Sequence, residues 1–352
     1  MTRLPTLRGR GVTPNPTNRF EGVTIERDPA TVVEDPARRT QFFKDSTRSI
    51  VARNRSPDVG FDLSINPYRG CEHGCAYCYA RPTHEYLGLS AGLDFESKIF
   101  IKQDAPQLLR NELSSPRWRP KLLALSGVTD PYQPVERTAR VTRGCLEVLA
   151  EFRNPVMVIT KNFLVTRDLD LLTDLASHQA VRVAISLTTL DPTLQRTLEP
   201  RTSSPVRRLE AIEKLALAGV PVAVFLAPLI PGLNDHEIPS ILTAAAGRGA
   251  KEASCVPLRL PYGVKDLSLD WLERHVPDRK KKIVNRILAM RGGRLNDPKL
   301  VSRMKGQGLM AEQVMQLFHV ARRKAGLEGP LAELSIAAFR RPGEVIQTTL
   351  GL

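Results

Sequence analysis

The sequence predicts an α/β protein in which six short apolar strands alternate with helices to form a parallel sheet. Apolar runs of about five to eight residues recur between about positions 58 and 262, and segments with helical spacing of apolar residues separate them. Such alternation is typical of a parallel sheet with helices on the outside. Six units form either a partial barrel or an open doubly wound sheet, and in both cases ligands bind at the carboxyl ends of the strands.

The individual strands and helices of this middle region follow from local patterns. The predicted strands are Asp62–Asn66, Lys121–Ser126, Pro155–Thr160, Val181–Leu187, Val220–Ala227 and Ala253–Leu260. The predicted helices lie near 104–113, 138–153, 168–177, 205–218 and 236–248. The 205–218 helix carries clear signals, because Ser204 suits the N-cap, Pro205 the first turn and Gly219 the position just after the end.

The chain becomes helical after about position 263. Asp278 is expected to cap one helix, and a further helix is expected near 310–325. In the tail, Leu334–Phe339 and Glu344–Thr349 flank a Pro-Gly pair and predict a hairpin. We therefore expect three regions: an Arg- and Pro-rich N-terminal extension (1–57), a core (58–291) and a basic, helical C-terminal tail (292–352).

Composition and cysteine usage limit the class of protein. Apolar residues make up 42% of the chain and charged residues 25%, as in globular proteins. The longest apolar run, Val220 to Leu233, carries three prolines and is too short to span a membrane. The first twenty residues lack the apolar stretch of a secretory signal. Five cysteines, an odd number with three clustered, favour a reducing compartment, so we expect a cytoplasmic protein with no membrane partner.

Positive charge is concentrated in one part of the chain. The formal net charge is +14, and the segment from Arg274 to Lys305, called the basic segment below, contains eleven Lys or Arg and two Asp. A surface of this kind favours a polyanionic partner through counterion release. The basic segment therefore predicts contact with a nucleic acid or nucleotide, and a solvated basic helix face is the alternative.

Three cysteines stand close together in the sequence Cys-Glu-His-Gly-Cys-Ala-Tyr-Cys, from Cys71 to Cys78, which is called the cysteine loop below. Three ligands are too few for a structural zinc site, which takes four. An iron–sulfur cubane held by Cys71, Cys75 and Cys78 keeps one iron open for another ligand. A zinc site completed by His73 or His84 is the alternative.

The cysteine loop and the residues before it resemble the signature of the radical S-adenosylmethionine (SAM) superfamily, including the aromatic Tyr77 just before the third cysteine. The resemblance implies a partial (β/α)6 TIM-type barrel with a [4Fe–4S] cluster on the three cysteines. It also implies that SAM chelates the fourth iron and that a flavodoxin- or ferredoxin-like reductant supplies electrons. In such proteins SAM is cleaved to methionine and a 5′-deoxyadenosyl radical, which abstracts hydrogen from a substrate.

Residues 58–262 resemble more closely the spore photoproduct lyase branch of that superfamily, above all in the stretch from Leu198 to Ala211. The resemblance implies that SAM is bound by Tyr77, Ser126, Gly127, Thr129, Asp130, Lys161, Ser186, Thr188, Arg201 and Ala227. Lys161 is expected to reach the SAM carboxylate as a point charge, and the hydroxyls after the fourth strand suit the ribose. The alternatives are structural roles: strand-end caps, a solvated lysine, and an ion pair between Glu199 and Arg201.

One departure from this branch bears on the reaction. Spore photoproduct lyase returns hydrogen to its product from a cysteine near the end of the second strand, and this chain has none there. Cys255, on the sixth predicted strand, is expected to face the barrel interior and donate hydrogen, with a buried structural cysteine as the alternative. The resemblance and the basic segment therefore predict a radical SAM enzyme that acts on a nucleic acid or a nucleotide-like substrate. The alternatives are a peptide or small-metabolite substrate, or a non-catalytic iron–sulfur or zinc protein with a basic partner-binding tail.

Overall fold

The computed structural model describes residues 7–20, 39–329 and 333–343, and its strands form two sheets. The strands in these residues are β1 Gln41–Lys44, β2 Val51–Arg53, β3 Leu63–Ile65, β4 Tyr68–Arg69, β5 Lys98–Ile101, β6 Leu123–Leu125, β7 Val156–Thr160, β8 Val181–Ser186, β9 Val222–Leu229 and β10 Glu252–Pro257. A seven-stranded sheet contains β2, β3 and β6 to β10, and a small three-stranded sheet contains β1, β4 and β5.

The strand order of the large sheet selects the barrel over the doubly wound alternative. From edge to edge the order is β10-β9-β8-β7-β6-β3-β2. The strands from β3 to β10 in this sheet pair in parallel, and β2 adds an antiparallel edge. Each parallel strand lies beside the one that precedes it in the sheet's chain order, so the order never reverses at a switch point. The six predicted strands are confirmed, and they form a partial (β/α)6 TIM-type barrel.

Helices cover the outer face of this sheet. The helices within the described residues are α1 Leu93–Ser97, α2 Ala105–Ser114, α3 Glu136–Ala139, α4 Val141–Phe152, α5 Leu169–Ser177, α6 Pro192–Leu198, α7 Pro205–Leu217, α8 Ile238–Gly247, α9 Val264–His275, α10 Pro277–Met290, α11 Ser302–Lys305 and α12 Gly308–Lys324. Short 3₁₀ helices lie at Arg81–Leu87, Phe163–Asp168 and Asp235–Glu237. The Ser204 side chain caps α7 by accepting the Arg207 N–H, and Gly219 follows the helix with φ of +77°, as predicted. The main core lies between the parallel strands and the outer helices.

Helices α9 and α10 pack on the carboxyl ends of the strands. A second buried cluster joins Trp271 of α9 and Ile283 of α10 to Tyr77 and Leu198. The Trp271 indole N–H donates to the Thr197 carbonyl oxygen at 2.9 Å. This layer brings the basic segment to the same end of the barrel as the cysteine loop.

Two details differ from the sequence-based expectations. Helix α10 begins with Val276 at the N-cap and Pro277 in the first position, and Asp278 makes no capping hydrogen bond. The prediction that Asp278 caps this helix is therefore wrong, since the proline already sets the start. The small sheet was not predicted, because β1 is exposed along its whole length and β4 has two residues, so neither shows a period.

The C-terminal tail is described only in part. Residues 333–343 contain turns and no strand. Glu344–Thr349, the second half of the predicted hairpin, lies outside the described residues. The boundaries of the three predicted regions stay a prediction. Among the described residues, no helix is both long and apolar enough to cross a membrane.

Candidate functional site

The cysteine loop follows the carboxyl end of β3, the first parallel strand of the barrel. Cys71 and Cys75 are buried, Cys78 is half-buried, and all three are free thiols. Gly70 and Gly74 have φ of +77° and +65°, in the left-handed region that glycine adopts without strain. These two residues allow the tight turns that hold three thiols in one short loop.

The three thiols are wholly or partly buried, and those of Cys71 and Cys78 accept backbone hydrogen bonds. The Asp130 N–H donates to the Cys71 sulfur, and the Ala80 and Arg81 N–H groups donate to the Cys78 sulfur. Burial raises the pKa of all three thiols, so they are held neutral in the absence of a bound cation. These features fit an iron–sulfur cluster, because its iron ions deprotonate the thiols and N–H groups stabilise the sulfur charge.

A buried ion pair supports the inner side of the cysteine loop. Arg81 and Glu96 are fully buried and lie 3.1 Å apart. Arg81 also donates to the carbonyl oxygens of Gly74 at 3.2 Å and Cys75 at 3.0 Å. Glu96 in turn accepts the backbone N–H of Gly11 at 3.0 Å, so the N-terminal extension packs directly against the loop. A Cβ atom at Gly11 would stand 1.6 Å from the Gly74 carbonyl oxygen.

The segment after β6 holds the other side of the cysteine loop through Gln133. The Gln133 amide donates to the Gly70 carbonyl oxygen at 3.2 Å and accepts the Glu72 N–H at 2.8 Å. The Glu72 carboxylate accepts the Val135 N–H at 2.6 Å. The loop is therefore fixed by two neighbouring parts of the barrel before any ligand binds.

Arg201, predicted to bind the cofactor, instead joins the cysteine loop to the N-terminal extension. Its guanidinium lies 3.1 Å from Glu72 and donates to the Thr40 hydroxyl at 3.0 Å. The alternative ion pair between Glu199 and Arg201 is also absent among the described contacts, since Glu199 pairs with Arg208 and Lys161. Arg201 is thus a residue that positions the loop.

The chain turns sharply after β6 at the predicted cofactor-binding residues Ser126 and Gly127. Their φ angles are +146° and +113°. The Ser126 hydroxyl donates to the Thr129 carbonyl oxygen at 3.3 Å, and the buried Thr129 hydroxyl donates to the Tyr68 carbonyl oxygen at 3.1 Å. The turn places the peptide groups of Ser126 and Gly127 at the carboxyl end of the barrel.

The carboxylate of Asp130 is fully occupied by the protein. One oxygen accepts the Tyr132 N–H at 2.9 Å and the Thr160 hydroxyl at 2.7 Å, and the other accepts the Lys161 N–H at 2.8 Å and lies 3.3 Å from His73 Nδ1. Although burial opposes it, His73 and these hydrogen bonds lower the pKa of Asp130. A carboxylate offers about four acceptor positions, so this side chain ties β7 to the cysteine loop and has none left for a ligand.

Lys161 lies where three strand ends meet. Its ammonium donates to the Ala227 carbonyl oxygen at 2.9 Å and the Thr188 hydroxyl at 3.2 Å, and it lies 3.2 Å from Glu199. The same nitrogen is 5.8 Å from the centre of the Tyr77 ring. The side chain is 14% exposed, which excludes the alternative of a solvated surface lysine. The structure therefore brings together Tyr77, Lys161, Thr188 and Ala227, as predicted.

Glu199 forms a buried network with two cations. It accepts hydrogen bonds from the Thr188 hydroxyl at 2.7 Å, from the Tyr77 hydroxyl and from Arg208. Burial opposes ionisation, but Arg208 and Lys161 hold the pKa of Glu199 well below its usual range. All three charges reach Cys75: burial and Glu199 raise the pKa of the thiol, and Lys161 and Arg208 oppose that rise.

Ser186, at the end of β8, has a free hydroxyl. The residue is buried, and its carbonyl oxygen accepts Arg208 at 3.0 Å. Its hydroxyl makes no hydrogen bond within the described residues. A hydroxyl in this state is available to a ligand.

Cys255 lies outside this site. Its sulfur is 3.7 Å from the sulfur of Met315 on α12, and it packs against the core between the sheet and the outer helices. The prediction that Cys255 faces the barrel interior is therefore wrong, and its expected role as hydrogen donor depended on that orientation. Side chains alternate along a strand, and Ala253, two residues earlier, lies in the same outer core. Cys145 is also buried there, so the cysteine loop holds the remaining three of the five cysteines.

The two histidines of the zinc alternative differ, because His73 is hydrogen-bonded whereas neither ring nitrogen of the buried His84 has a hydrogen-bond partner within the described residues. His73 lies 3.3 Å from Asp130 through Nδ1 and 3.2 Å from the Asn162 amide through Nε2. The His84 ring packs edge-on against Phe95, with 5.6 Å between ring centres. Within residues 7–20, 39–329 and 333–343, no three His, Cys, Asp or Glu side chains stand close enough to hold a single metal ion.

The sequence did not predict the residues that support the cysteine loop and Glu199 through buried ion pairs and hydrogen bonds. These are Arg81, Glu96, Gln133 and Arg208. Arg208 and Glu199 were both within the stretch that resembles the lyase branch, so their pairing had a local signal. Arg81 and Glu96 are in separate elements, and no spacing rule relates them.

A partial (β/α)6 barrel with three buried thiols at its carboxyl end defines a protein built to carry a cluster and a second ligand. The chain belongs to the radical SAM superfamily, because the family model described as Radical SAM superfamily matches residues 65–245, about half of the chain. Membership implies a [4Fe–4S] cluster and SAM as cofactors, and an enzyme. It does not specify the substrate.

The chain is also similar to sequence relatives and to solved structures. An uncharacterised protein of Mycobacterium tuberculosis is 37% identical over 232 residues, which cover 64% of this chain and 68% of the relative. An uncharacterised protein of Methanocaldococcus jannaschii is 30% identical over 178 residues, which cover 51% and 64%. Spore photoproduct lyase complexed with dinucleoside spore photoproduct has a TM-score of 0.52 at 14% identity, covering 80% of this chain and 79% of that chain. The last likeness confirms the predicted resemblance at the level of the fold.

Proposed function

We propose that this chain is a radical SAM enzyme that acts on a nucleic acid, with a [4Fe–4S] cluster on Cys71, Cys75 and Cys78. The observation that supports it is the position of three free thiols in one short loop beside the cation Lys161, at the carboxyl end of the barrel. When bound, the cluster supplies the electron that cleaves SAM to methionine and a 5′-deoxyadenosyl radical, which abstracts hydrogen from the substrate. A flavodoxin- or ferredoxin-like protein is the proposed reductant.

The residues around the thiols have separate roles in this proposal. Lys161 attracts the SAM carboxylate as a point charge, because its three N–H groups already contact Thr188, Ala227 and Glu199. The free hydroxyl of Ser186 binds the ribose, and the carbonyl groups of the turn after β6 bind the amino group. Glu199 fixes the position of the Lys161 ammonium and is itself held by Arg208.

The charge of the basic segment supports a nucleic acid as substrate. Six of its eleven cations are used inside the protein, in ion pairs or on backbone carbonyl groups, namely Arg274, Arg279, Lys280, Arg286, Arg291 and Arg303. The other five have no ion pair within the described residues and are exposed: Lys281, Lys282, Arg294, Lys299 and Lys305. Cations that the fold leaves unpaired are available to a polyanion.

The cysteines also limit the reaction. Outside the cysteine loop, Cys145 is in the core and Cys255 faces α12. A thiol of this chain is therefore not placed to return hydrogen to the product, and we do not propose the hydrogen-return step of spore photoproduct lyase.

Two matched cysteine variants test the enzyme claim. The chain is reconstituted anaerobically with iron and sulfide, reduced with dithionite and given SAM, and 5′-deoxyadenosine is measured by chromatography. We expect Cys75→Ala to lose both the brown colour and SAM cleavage, and Cys255→Ala to keep both. An intact cluster in the parent chain that produces no 5′-deoxyadenosine would overturn the proposal.

A further inference from the structure

Arg259 lies between the cysteine loop and the basic segment. It comes two residues after β10, at the carboxyl end of the barrel, and its guanidinium carbon is 5.3 Å from the centre of the Tyr79 ring. Tyr79 follows Cys78 directly, is 48% exposed and donates its hydroxyl to the Gly127 carbonyl oxygen at 2.5 Å. Arg259 therefore lies over a half-exposed ring that joins the third thiol to the turn after β6.

No carboxylate pairs with Arg259 within the described residues. Asp58, the acid whose charge acts on it, accepts four hydrogen bonds from other groups: two from Arg303 and one each from Val301 and Ser56. The contact that Arg259 makes is with the Met304 sulfur at 3.6 Å, and a thioether is a weak acceptor. Most of the guanidinium N–H groups of Arg259 are therefore left for a ligand.

Other arginines in this part of the protein are satisfied internally. Arg81 and Arg208 each pair with a buried carboxylate, and Arg291 donates to four backbone carbonyl oxygens. Arg259 is half-buried without such partners, and burial together with Arg303 lowers its pKa. Because a cation removed from water without a partner is unfavourable, binding of an anion at this position is favoured.

The surroundings of Arg259 fit a chain of phosphates better than a single carboxylate. The basic segment packs directly against it, since Arg291 donates to the Leu258 carbonyl oxygen at 2.7 Å and Asn296 accepts the Leu260 N–H at 3.2 Å. This part of the segment also carries the exposed and unpaired Arg294, Lys299 and Lys305. Cations that continue from the surface to the barrel opening match a polyanionic strand.

We propose that Arg259 binds a backbone phosphate of the nucleic-acid substrate and so positions one nucleotide beside the cysteine loop. The inference rests on the proposed function, because it requires a nucleic acid at the barrel opening. A guanidinium donates to a phosphate through two parallel hydrogen bonds, which fixes orientation as well as distance. The Tyr79 ring beneath it limits the motion of the side chain.

The test measures binding of a fluorescein-labelled single-stranded oligothymidine of about eight nucleotides by anisotropy, at several salt concentrations. The proteins are the reconstituted parent chain, Arg259→Gln, Arg259→Lys and Arg248→Gln, whose exposed arginine pairs with Glu213 away from this site. We expect Arg259→Gln to weaken binding about tenfold and to lower the salt slope by about one ion, with Arg259→Lys intermediate and Arg248→Gln unchanged. Iron content and the thermal midpoint show whether each variant folds.

A second arm replaces one phosphate at a time by a neutral methylphosphonate. In the parent chain one linkage is expected to be the most sensitive, and Arg259→Gln is expected to lose that sensitivity, which a merely structural role would not produce. Parent-like binding and sensitivity in Arg259→Gln would overturn the inference and leave the proposed function standing. A parent chain that cleaves SAM yet binds no oligonucleotide would overturn the nucleic-acid substrate and the phosphate assignment together, in favour of a peptide or metabolite carboxylate.

Discussion

The two sides of the cysteine loop differ in how charge is balanced. Behind the loop, Arg81 pairs with Glu96 and Arg208 with Glu199, and all four side chains are at most 1% exposed. In front of it, Arg259 lies over Tyr79 without a carboxylate among the described residues. A buried cation with a counter-ion holds the protein together, whereas a half-buried cation without one favours a ligand. This difference distinguishes the residues that stabilise the site from the residue that is available to bind a ligand.

Removal of Arg81 should disrupt the paired charges behind the cysteine loop and give the largest loss of stability among these predictions. Arg81→Met leaves Glu96 buried without a counter-charge, so we expect a loss of about 3–5 kcal/mol in the free energy of unfolding and poor retention of iron. The control is Arg110→Met, whose pair with Glu151 is more than one-third exposed and contributes at most about 1 kcal/mol. Urea unfolding and iron analysis measure both. Equal losses in the two variants would contradict the distinction.

His84, which is buried near Arg81, should make the stability of this side of the cysteine loop depend on pH. Burial lowers the pKa of His84 to about 4, while the charge of Asp94 and the Lys98 backbone oppose the shift and the charges of Lys98 and Arg81 add to it. Because the folded pKa lies below the ordinary value of about 6.5, protonation favours the unfolded chain. Stability is therefore complete above about pH 6.5 and falls between about pH 6.5 and 4, by up to about 3 kcal/mol.

The measurement compares urea unfolding of the parent chain and His84→Leu at several pH values in this window. We expect the variant to be less pH-dependent, because it lacks a group that gains a proton on unfolding. The comparison at pH 7 gives the cost of the substitution itself. If both proteins lose stability in parallel as the pH falls, His84 does not carry this dependence.

The fold was predictable from sequence because its strands are short apolar runs and its helices have clear ends. Ser204 and Gly219 bound α7 as expected, and in the structure each parallel strand lies beside the one before it, which is the simplest connection. The order itself required the structure, since the same runs also suit a doubly wound sheet. The small sheet was missed because its strands are held by pairing alone, with no pattern in β1.

The parts of the candidate site that have a characteristic residue spacing were predictable from the sequence. The parts that depend on contacts between distant residues were not. The cysteine spacing and the resemblance led to the loop and to Lys161. Arg81 and Glu96 required the structure, because an ion pair between two elements has no local signature. The orientation of Cys255 was predicted wrongly because its contact, Met315, lies sixty positions later in the sequence. Met315 is on a helix whose packing position the sequence does not specify.

Gly11 provides a test of whether the N-terminal extension packs tightly against the Arg81–Glu96 side of the cysteine loop. In Gly11→Ala the new Cβ would stand 1.6 Å from the Gly74 carbonyl oxygen, so the extension must move away from Glu96. We expect a loss of about 1–3 kcal/mol and faster hydrogen exchange in residues 10–16. Gly60→Ala is the control, because nothing lies within 4 Å of a Cβ atom there. Unchanged exchange in Gly11→Ala would show that the extension does not press on the loop.

The smallest effects on stability are expected for substitutions on the exposed surface of the basic segment. Two neighbouring lysines there allow a paired cation to be compared with an unpaired one. Lys280 pairs with Glu273 at 2.9 Å, whereas Lys281 is exposed and unpaired within the described residues. Each change to Gln should alter stability by less than about 0.5 kcal/mol, so binding is the informative measurement. We expect Lys281→Gln to lower the salt slope for single-stranded DNA by up to about 0.7, and Lys280→Gln to lower it by less, since its charge is already balanced. Equal slopes for the two variants would mean that pairing within the fold does not decide which cations a polyanion meets, and the argument for Arg259 would weaken with it.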